Sequence, residues 1–164
     1  MLSRIKQTGL CYLWLSLIII FFDQITKMMI INFFELYQFH EVSSFFNIVR
    51  VHNQGAAFSF LADQNGWQKL FLITVSSLVS IYILYELTVL SKQERLLSVA
   101  FCCILGGALG NLIDRVFYGY VVDFLDFHYV QWHWPAFNVA DIAITIGAFL
   151  FILDMILGKK YERK

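Results

Sequence analysis

Apolar runs of near-spanning length alternate with polar connections along this chain. The first covers residues 10–31, and its core LWLSLIIIFF is followed by Asp23, Gln24 and Lys27 before the run resumes. The second, 70–90, is broken only by hydroxyls and Glu86, the third, 96–113, is rich in glycine, and the fourth covers 136–157. About 20 helical residues cross a bilayer core, and a helix satisfies its own backbone there. The pattern therefore predicts four transmembrane helices. Residues 32–68 break it. FFNIVRVHN alternates imperfectly and is rich in β-branched and aromatic side chains, so this cap is expected to hold a short strand or small sheet.

Composition agrees with the pattern. Of 164 residues, 59% are hydrophobic and 15% charged, which is too apolar for an ordinary soluble domain and suits one integral membrane domain. Twelve basic and twelve acidic residues balance, so nothing suggests a nucleic-acid partner. Cys11, Cys102 and Cys103 all lie in apolar runs without C-x-x-C spacing. They read as small buried hydrophobes rather than a disulfide framework or zinc site. The basic start at Arg4 and Lys6 suits a signal peptide. No small-x-small cleavage site follows, however, and the run continues through MMII, so the first span reads as retained.

Charge sets a direction. Arg4 and Lys6 precede the first span, Lys92 and Arg95 join the second to the third, and Lys159, Lys160, Arg163 and Lys164 follow the fourth. The two longer connections hold only Arg50, Lys69 and Arg115, with Lys27 at the membrane edge. The positive-inside rule puts both termini in the cytoplasm and both long connections outside. Trp132 and Trp134 before the fourth span fit an interfacial aromatic belt. On this topology Asp23 and Lys27, then Asn111, Asp114 and Arg115, then Asn138 and Asp141 share one outer depth, with Asp123 in the connection beside them. Ionisable groups at membrane depth are a functional signal.

Two carboxylates facing one pocket and sharing a proton form a general acid–base pair. Asp123 and Asp141 are candidates for it, with WHWPAF between them. Asp126 competes with Asp123 three residues later. Asp141 also reads as the third residue of a helix capped by Asn138 and preceded by Pro135, a role compatible with catalysis. Asn53 can donate to a substrate, and Gly55 permits a turn or close backbone approach. Asn111 and Arg115, spaced i, i+4, share a helix face. Asp23 and Lys27 have the same spacing and read as a structural ion pair that neutralises itself. Gly106, Gly107 and Gly110 allow close helix packing. His52, His128 and His133 match no metal spacing, and neither H-E-x-x-H nor a serine nucleophile elbow is present.

The pieces DQITK, NQGAAF, GGALGNLIDR, VVDFLDF and FNVADIAI follow one another from the first span to the fourth. In this the chain resembles the bacterial lipoprotein signal peptidases, also called signal peptidase II or prolipoprotein signal peptidase. The resemblance implies an aspartyl protease in the bacterial inner membrane. No metal or cofactor is expected, because Lys27 and Arg115 bring positive charge to the same region and two carboxylates can share a proton instead. It implies an all-α membrane fold of four transmembrane helices, with a small extracytoplasmic β-rich cradle and a short external helix over the substrate groove. The implied substrate is a diacylglyceryl-modified prolipoprotein, cut on the amino side of the lipid-modified cysteine beside membrane lipid, and the implied inhibitor is the cyclic peptide globomycin. Asp123 and Asp141 match the motif aspartates, and Asp23, Lys27, Asn53, Asn111, Asp114, Arg115 and Asn138 match the polar residues around them. Two other readings compete: a small transporter whose polar path would use Glu86 and Asp154, and a noncatalytic protein that holds a partner helix.

Overall fold

The structure, a computed structural model, describes residues 7–55 and 66–161. A single 3-10 turn, Gly9–Tyr12, leads into α1, Leu13–Phe33. Strands β1, Phe39–Ser43, and β2, Phe46–Asn53, follow, then α2, Trp67–Val89, and α3, Arg95–Phe117. Strands β3, Val121–Tyr129, and β4, Trp132–His133, precede the last helix, α4, Val139–Tyr161. All four long helices have the length and hydropathy to cross a membrane.

Helix α3 is the central element and packs on α1, α2 and α4. Inside the protein 61% of its span is buried, against 17–22% for the other three. Its small residues explain this. A Cβ on Gly106 would lie 2.9 Å from Ile19 of α1, and one on Gly107 would strike the Ala140 carbonyl of α4. Ile83 and Leu87 of α2 complete the core against Phe101, Cys102 and Leu105. Leu17, Phe21, Leu78, Ile81, Phe149 and Ile152 stay exposed on the outer faces, a distribution suited to hydrocarbon as solvent. Cys102 and Cys103 are buried and Cys11 half-buried, all as free thiols.

The helix ends depart from the hydropathy pattern for a local reason. Helix α3 continues past residue 113, through Asp114 and Arg115, because both side chains find partners inside the protein. Helix α4 begins only after Asn138, which leaves Pro135 outside it.

The strands form one open antiparallel sheet in the order β1-β2-β3-β4. Since α1 and α3 each run directly into it, the sheet covers one end of the bundle. Half of it comes from the connection between α3 and α4, not from residues 32–68 alone. The reason VVDFLDF does not read as a strand is burial: Val121 to Phe124 are buried without alternation. Val122 and Phe124 pack on Ile30 of α1. Arg50 Nη1 donates to the Ile31 and Phe34 carbonyls at 3.2 and 2.8 Å and so caps the end of α1. The expected short external helix has no counterpart in residues 34–55, and residues 56–65 lie outside the described residues.

Candidate active site

A buried polar cluster lies where α1, α3, α4 and the sheet meet. Asp23 is ten residues, roughly 15 Å of helix, before the α1 end at Phe33. The start of α4 reaches that depth, because the Ala140 N–H donates to Asp23 Oδ1 at 2.8 Å. Gly110 makes room for this approach, since a Cβ there would stand 2.6 Å from Asp23 Oδ2. A carboxylate on one helix thus satisfies an otherwise unpaired N-terminal amide of another.

The first turn of α4 supplies two site residues and its own cap. Asn138 Oδ1 accepts the Asp141 N–H at 3.0 Å, and Asp141 Oδ2 accepts the Asn138 N–H at 3.3 Å. This reciprocal cap fixes both side chains and leaves Asp141 Oδ1 to accept from Asn111 Nδ2 at 2.8 Å. Asn138 Nδ2 turns the other way and donates to Asp123 Oδ1 at 2.7 Å. One asparagine therefore joins both candidate carboxylates.

Asp123 is carried by β3, opposite Val51 in the register. An irregularity in β2 between Ile48 and Val51 sets that pairing. Its Oδ2 accepts from Asn53 Nδ2 at 2.9 Å. The Gly55 N–H pins Asn53 Oδ1 at 2.9 Å, and the Gly55 carbonyl accepts from Arg115 Nη2 at 2.8 Å. Arg115 thereby ties the end of β2 to α3. Burial, and then the neighbouring Asp141 carboxylate, push the Asp123 carboxyl up to about 7. The Asn53 and Asn138 donors and the Lys27 charge oppose this without cancelling it.

Beneath this pair, Lys27 contacts Asp23 Oδ2 at 2.9 Å and Asp114 Oδ2 at 3.0 Å. Asp114 Oδ2 also accepts the Val122 N–H at 3.1 Å, which fixes β3 beside Asp123. Gln24 bridges Asp114 Oδ1, the Gly110 carbonyl and Asp23 at 2.9, 3.2 and 3.2 Å. Gln24 has no role in the reading from sequence, although a carboxamide next to Asp23 inside an apolar run is the signal that could have found it.

Asp123, Asp141, Asn53, Gly55, Asn111, Arg115, Asn138, Asp23, Lys27 and Asp114 all meet here. Asp126 does not. Three residues along a strand reverse the side-chain direction, so Asp126 accepts instead from Asn47 Nδ2 at 2.9 Å and contacts His133 Nδ1 at 2.9 Å. It borders a separate cavity of about 430 Å³ lined also by Tyr37, Glu41 and His128, without either Asp123 or Asp141. The transporter path fails too. Between Ser98 and Asn111, α3, the central helix, carries only apolar and small side chains, so that helix offers no polar path from Glu86 or Asp154 to the cluster.

Four apolar helices hold one buried and one half-buried carboxylate, Asp123 and Asp141, beneath an open sheet, an arrangement suited to a polytopic membrane aspartic peptidase. Residues 15–157 match the family model described as Signal peptidase (SPase) II, and the chain belongs to that family. It is 50% identical to a lipoprotein signal peptidase of Alteromonas mediterranea over 155 residues, 94% of this chain and 85% of that one. It is 46% identical to a lipoprotein signal peptidase of Pseudoalteromonas atlantica over 97% of each chain. A solved structure described as a bacterial membrane enzyme, obtained by the in meso method at 2.3 Å, superposes with a TM-score of 0.76 at 32% identity. The match covers 92% of this chain and 89% of that one.

Proposed function

We propose that Asp123 and Asp141 are the catalytic pair with which this chain removes signal peptides from diacylglyceryl-modified prolipoproteins, cutting on the amino side of the lipid-modified cysteine. The observation that carries this reading is the Asn138 link between two carboxylates that no cation neutralises directly. Among the described residues the ion pairs engage Asp23, Asp114 and Asp126 instead.

The pair shares one proton. Asp123, pushed up to about 7, holds it and hydrogen-bonds the scissile carbonyl oxygen. Asp141, in the first turn of α4 where helix N–H groups favour negative charge, takes a proton from water. The resulting hydroxide adds to the carbonyl carbon while Asp123 protonates the carbonyl oxygen. Collapse of the tetrahedral intermediate breaks the C–N bond. The proton held by Asp141 passes to the leaving amine, and the carboxyl proton returns to Asp123. Arg115, close to both carboxylates, limits the cost of the negative charge. The signal peptide, an apolar helix, lies against the apolar bundle, and the substrate's lipid chains remain in the bilayer. Globomycin, on this reading, occupies the same site.

With the basic residues inside, both termini are cytoplasmic, and the sheet and site face outward. Reporter fusions after Lys92 and Lys160 should read cytoplasmic, and fusions at Asn65 and Tyr129 external. An external signal at Lys92 would put the site on the wrong face.

Cleavage of a lipid-modified precursor by the purified protein should survive exhaustive EDTA treatment. A cation site around the carboxylates would need asparagine oxygens to complete it. In the fold all three are committed elsewhere: Asn53 Oδ1 to the Gly55 N–H, Asn138 Oδ1 to the Asp141 N–H and Asn111 Oδ1 to Lys27. They turn N–H groups, not oxygens, toward the carboxylates. Loss of turnover on chelation, with recovery on adding one divalent ion, would overturn the aspartyl mechanism.

A further inference from the structure

The Asp23–Lys27 pair reads from the sequence as self-neutralising and structural. Its geometry assigns Lys27 more. The side chain is 2% exposed, and an ammonium has three N–H donors. Three oxygens surround Nζ: Asp23 Oδ2 at 2.9 Å, Asp114 Oδ2 at 3.0 Å and Asn111 Oδ1 at 2.9 Å. Two of these bonds go to carboxylates. The third goes to a neutral carboxamide whose other end, Nδ2, donates to Asp141 Oδ1 at 2.8 Å.

A carboxamide can turn over about its terminal bond, exchanging oxygen and nitrogen at almost no steric cost. Turned over, Asn111 would point N–H groups at the Lys27 ammonium and its oxygen at the Asp141 carboxylate, and both contacts would repel. The Asn53 and Asn138 carboxamides are held in their working orientation by backbone N–H groups, from Gly55 and Asp141. Asn111 alone among the three depends on a side-chain cation. Asn138 Nδ2 also reaches Asn111 Oδ1, but at 3.3 Å and while engaged with Asp123.

We propose that Lys27 is a positioning residue for the peptidase reaction: it clamps the Asn111 oxygen and so keeps the Asn111 N–H donor on Asp141. This rests on the assignment of Asp141 to the catalytic pair. Lys27 hydrogen-bonds Asn111, Asp23 and Asp114 rather than either catalytic carboxylate. Its charge also acts on Asp123 at longer range, an effect that Lys27→Arg keeps, so the arginine variant isolates the part that runs through Asn111. Loss of the clamp lets the amide turn, which removes a donor from the residue that activates water and leaves the substrate groove as it was. The expected signature is a fall in kcat at nearly constant KM.

The test is a double-mutant cycle on the full-length protein in detergent, with a diacylglyceryl-modified precursor as substrate. Lys27→Met strands two buried carboxylates and can fail to fold, so the cycle is run in an Asp23→Asn background, which keeps an oxygen for the Ala140 N–H. A parallel cycle uses Lys27→Arg, which retains the charge for Asp23 and Asp114 but presents a planar fork in place of three tetrahedral donors. Each Lys27 variant should lower kcat by about 10- to 100-fold, less than the roughly 100- to 1,000-fold cost of losing a donor that contacts the reacting oxygen, because Asn111 acts through Asp141; KM should change less than about threefold. Combining either with Asn111→Ala should cost nothing beyond Asn111→Ala alone, since coupled residues are not additive. Independent, multiplying effects in folded protein would overturn the proposal, as would unchanged kcat in Lys27→Arg. Asp141→Asn, assayed alongside, separates the two readings. If it still turns over, the catalytic assignment fails. If it is inactive while the cycle is additive, only the role of Lys27 fails.

Discussion

Purified Asp123→Asn and Asp141→Asn proteins are each expected to elute as the parent does and yet cleave lipid-modified precursor at least about 100- to 10,000-fold more slowly, the range for loss of a general acid or base. The substitution is nearly isosteric, so the site keeps its shape. In Asp123→Asn an amide oxygen remains to accept from Asn138 Nδ2, the 2.7 Å donor. In Asp141→Asn an oxygen remains to complete the cap with the Asn138 N–H. What each variant loses is a group that can exchange a proton at neutral pH. The double variant should be little worse than either single one, because residues that act as a unit are not additive. Asp126→Asn is the control. Asp126 faces another cavity with Asn47 and His133, so its loss should leave kcat within a few-fold of the parent. Near-normal turnover by folded Asp123→Asn or Asp141→Asn would remove the pair from the mechanism.

The choice between Asp123 and Asp126 shows what a one-dimensional pattern can carry. Strand periodicity alone places residues three apart on opposite faces, so only one of them can join Asp141. Which one depends on how β3 seats on the bundle, where Asp114 takes the Val122 N–H and Val122 and Phe124 pack on Ile30, contacts that no local signal marks. The four helices were legible because apolar length is a strong signal. Strand β3 was not, because Val121 to Phe124 are buried on both faces and lose the alternation that betrays a half-buried strand. The dual role of Asn138 and Asp141 was legible as a cap, since capping is local. The hydrogen bond from the Ala140 N–H to Asp23 spans 117 positions, and spacing along the chain cannot reveal it. The Lys27 contacts failed to show for the same reason. Its i, i+4 partner is Asp23, whereas Asn111 and Asp114 come from another helix. Sequence pairing therefore understated a residue whose third bond crosses the bundle.

The second large effect expected is on pH dependence. Asp123 donates a hydrogen bond only while protonated, and its carboxyl is pushed from the ordinary 3.8 up to about 7 by burial and by Asp141. The productive form is therefore present below about pH 7 and lost above it. In the free enzyme kcat/KM should fall tenfold for each further pH unit on the alkaline side, a limb belonging to the pair as a unit. The same shift has a consequence for stability. The folded state holds this proton more tightly than the unfolded chain does, so the Asp123 contribution is complete below about 3.8 and is lost as pH rises through about 7. Asp123→Asn should flatten that part of the stability profile. Asn53 tests the cause of the alkaline limb. Its Nδ2 donates to Asp123 Oδ2 at 2.9 Å, a bond that favours the charged carboxylate and restrains the rise. Asn53→Leu removes the donor at similar volume, so the Asp123 carboxyl should rise further and the alkaline limb move to higher pH. The measurement is kcat/KM against pH for parent and variant in the same detergent. A limb that moved to lower pH, or a parent profile with no alkaline limb near neutrality, would reverse the assignment and make Asp123 the residue that enters the reaction ionised.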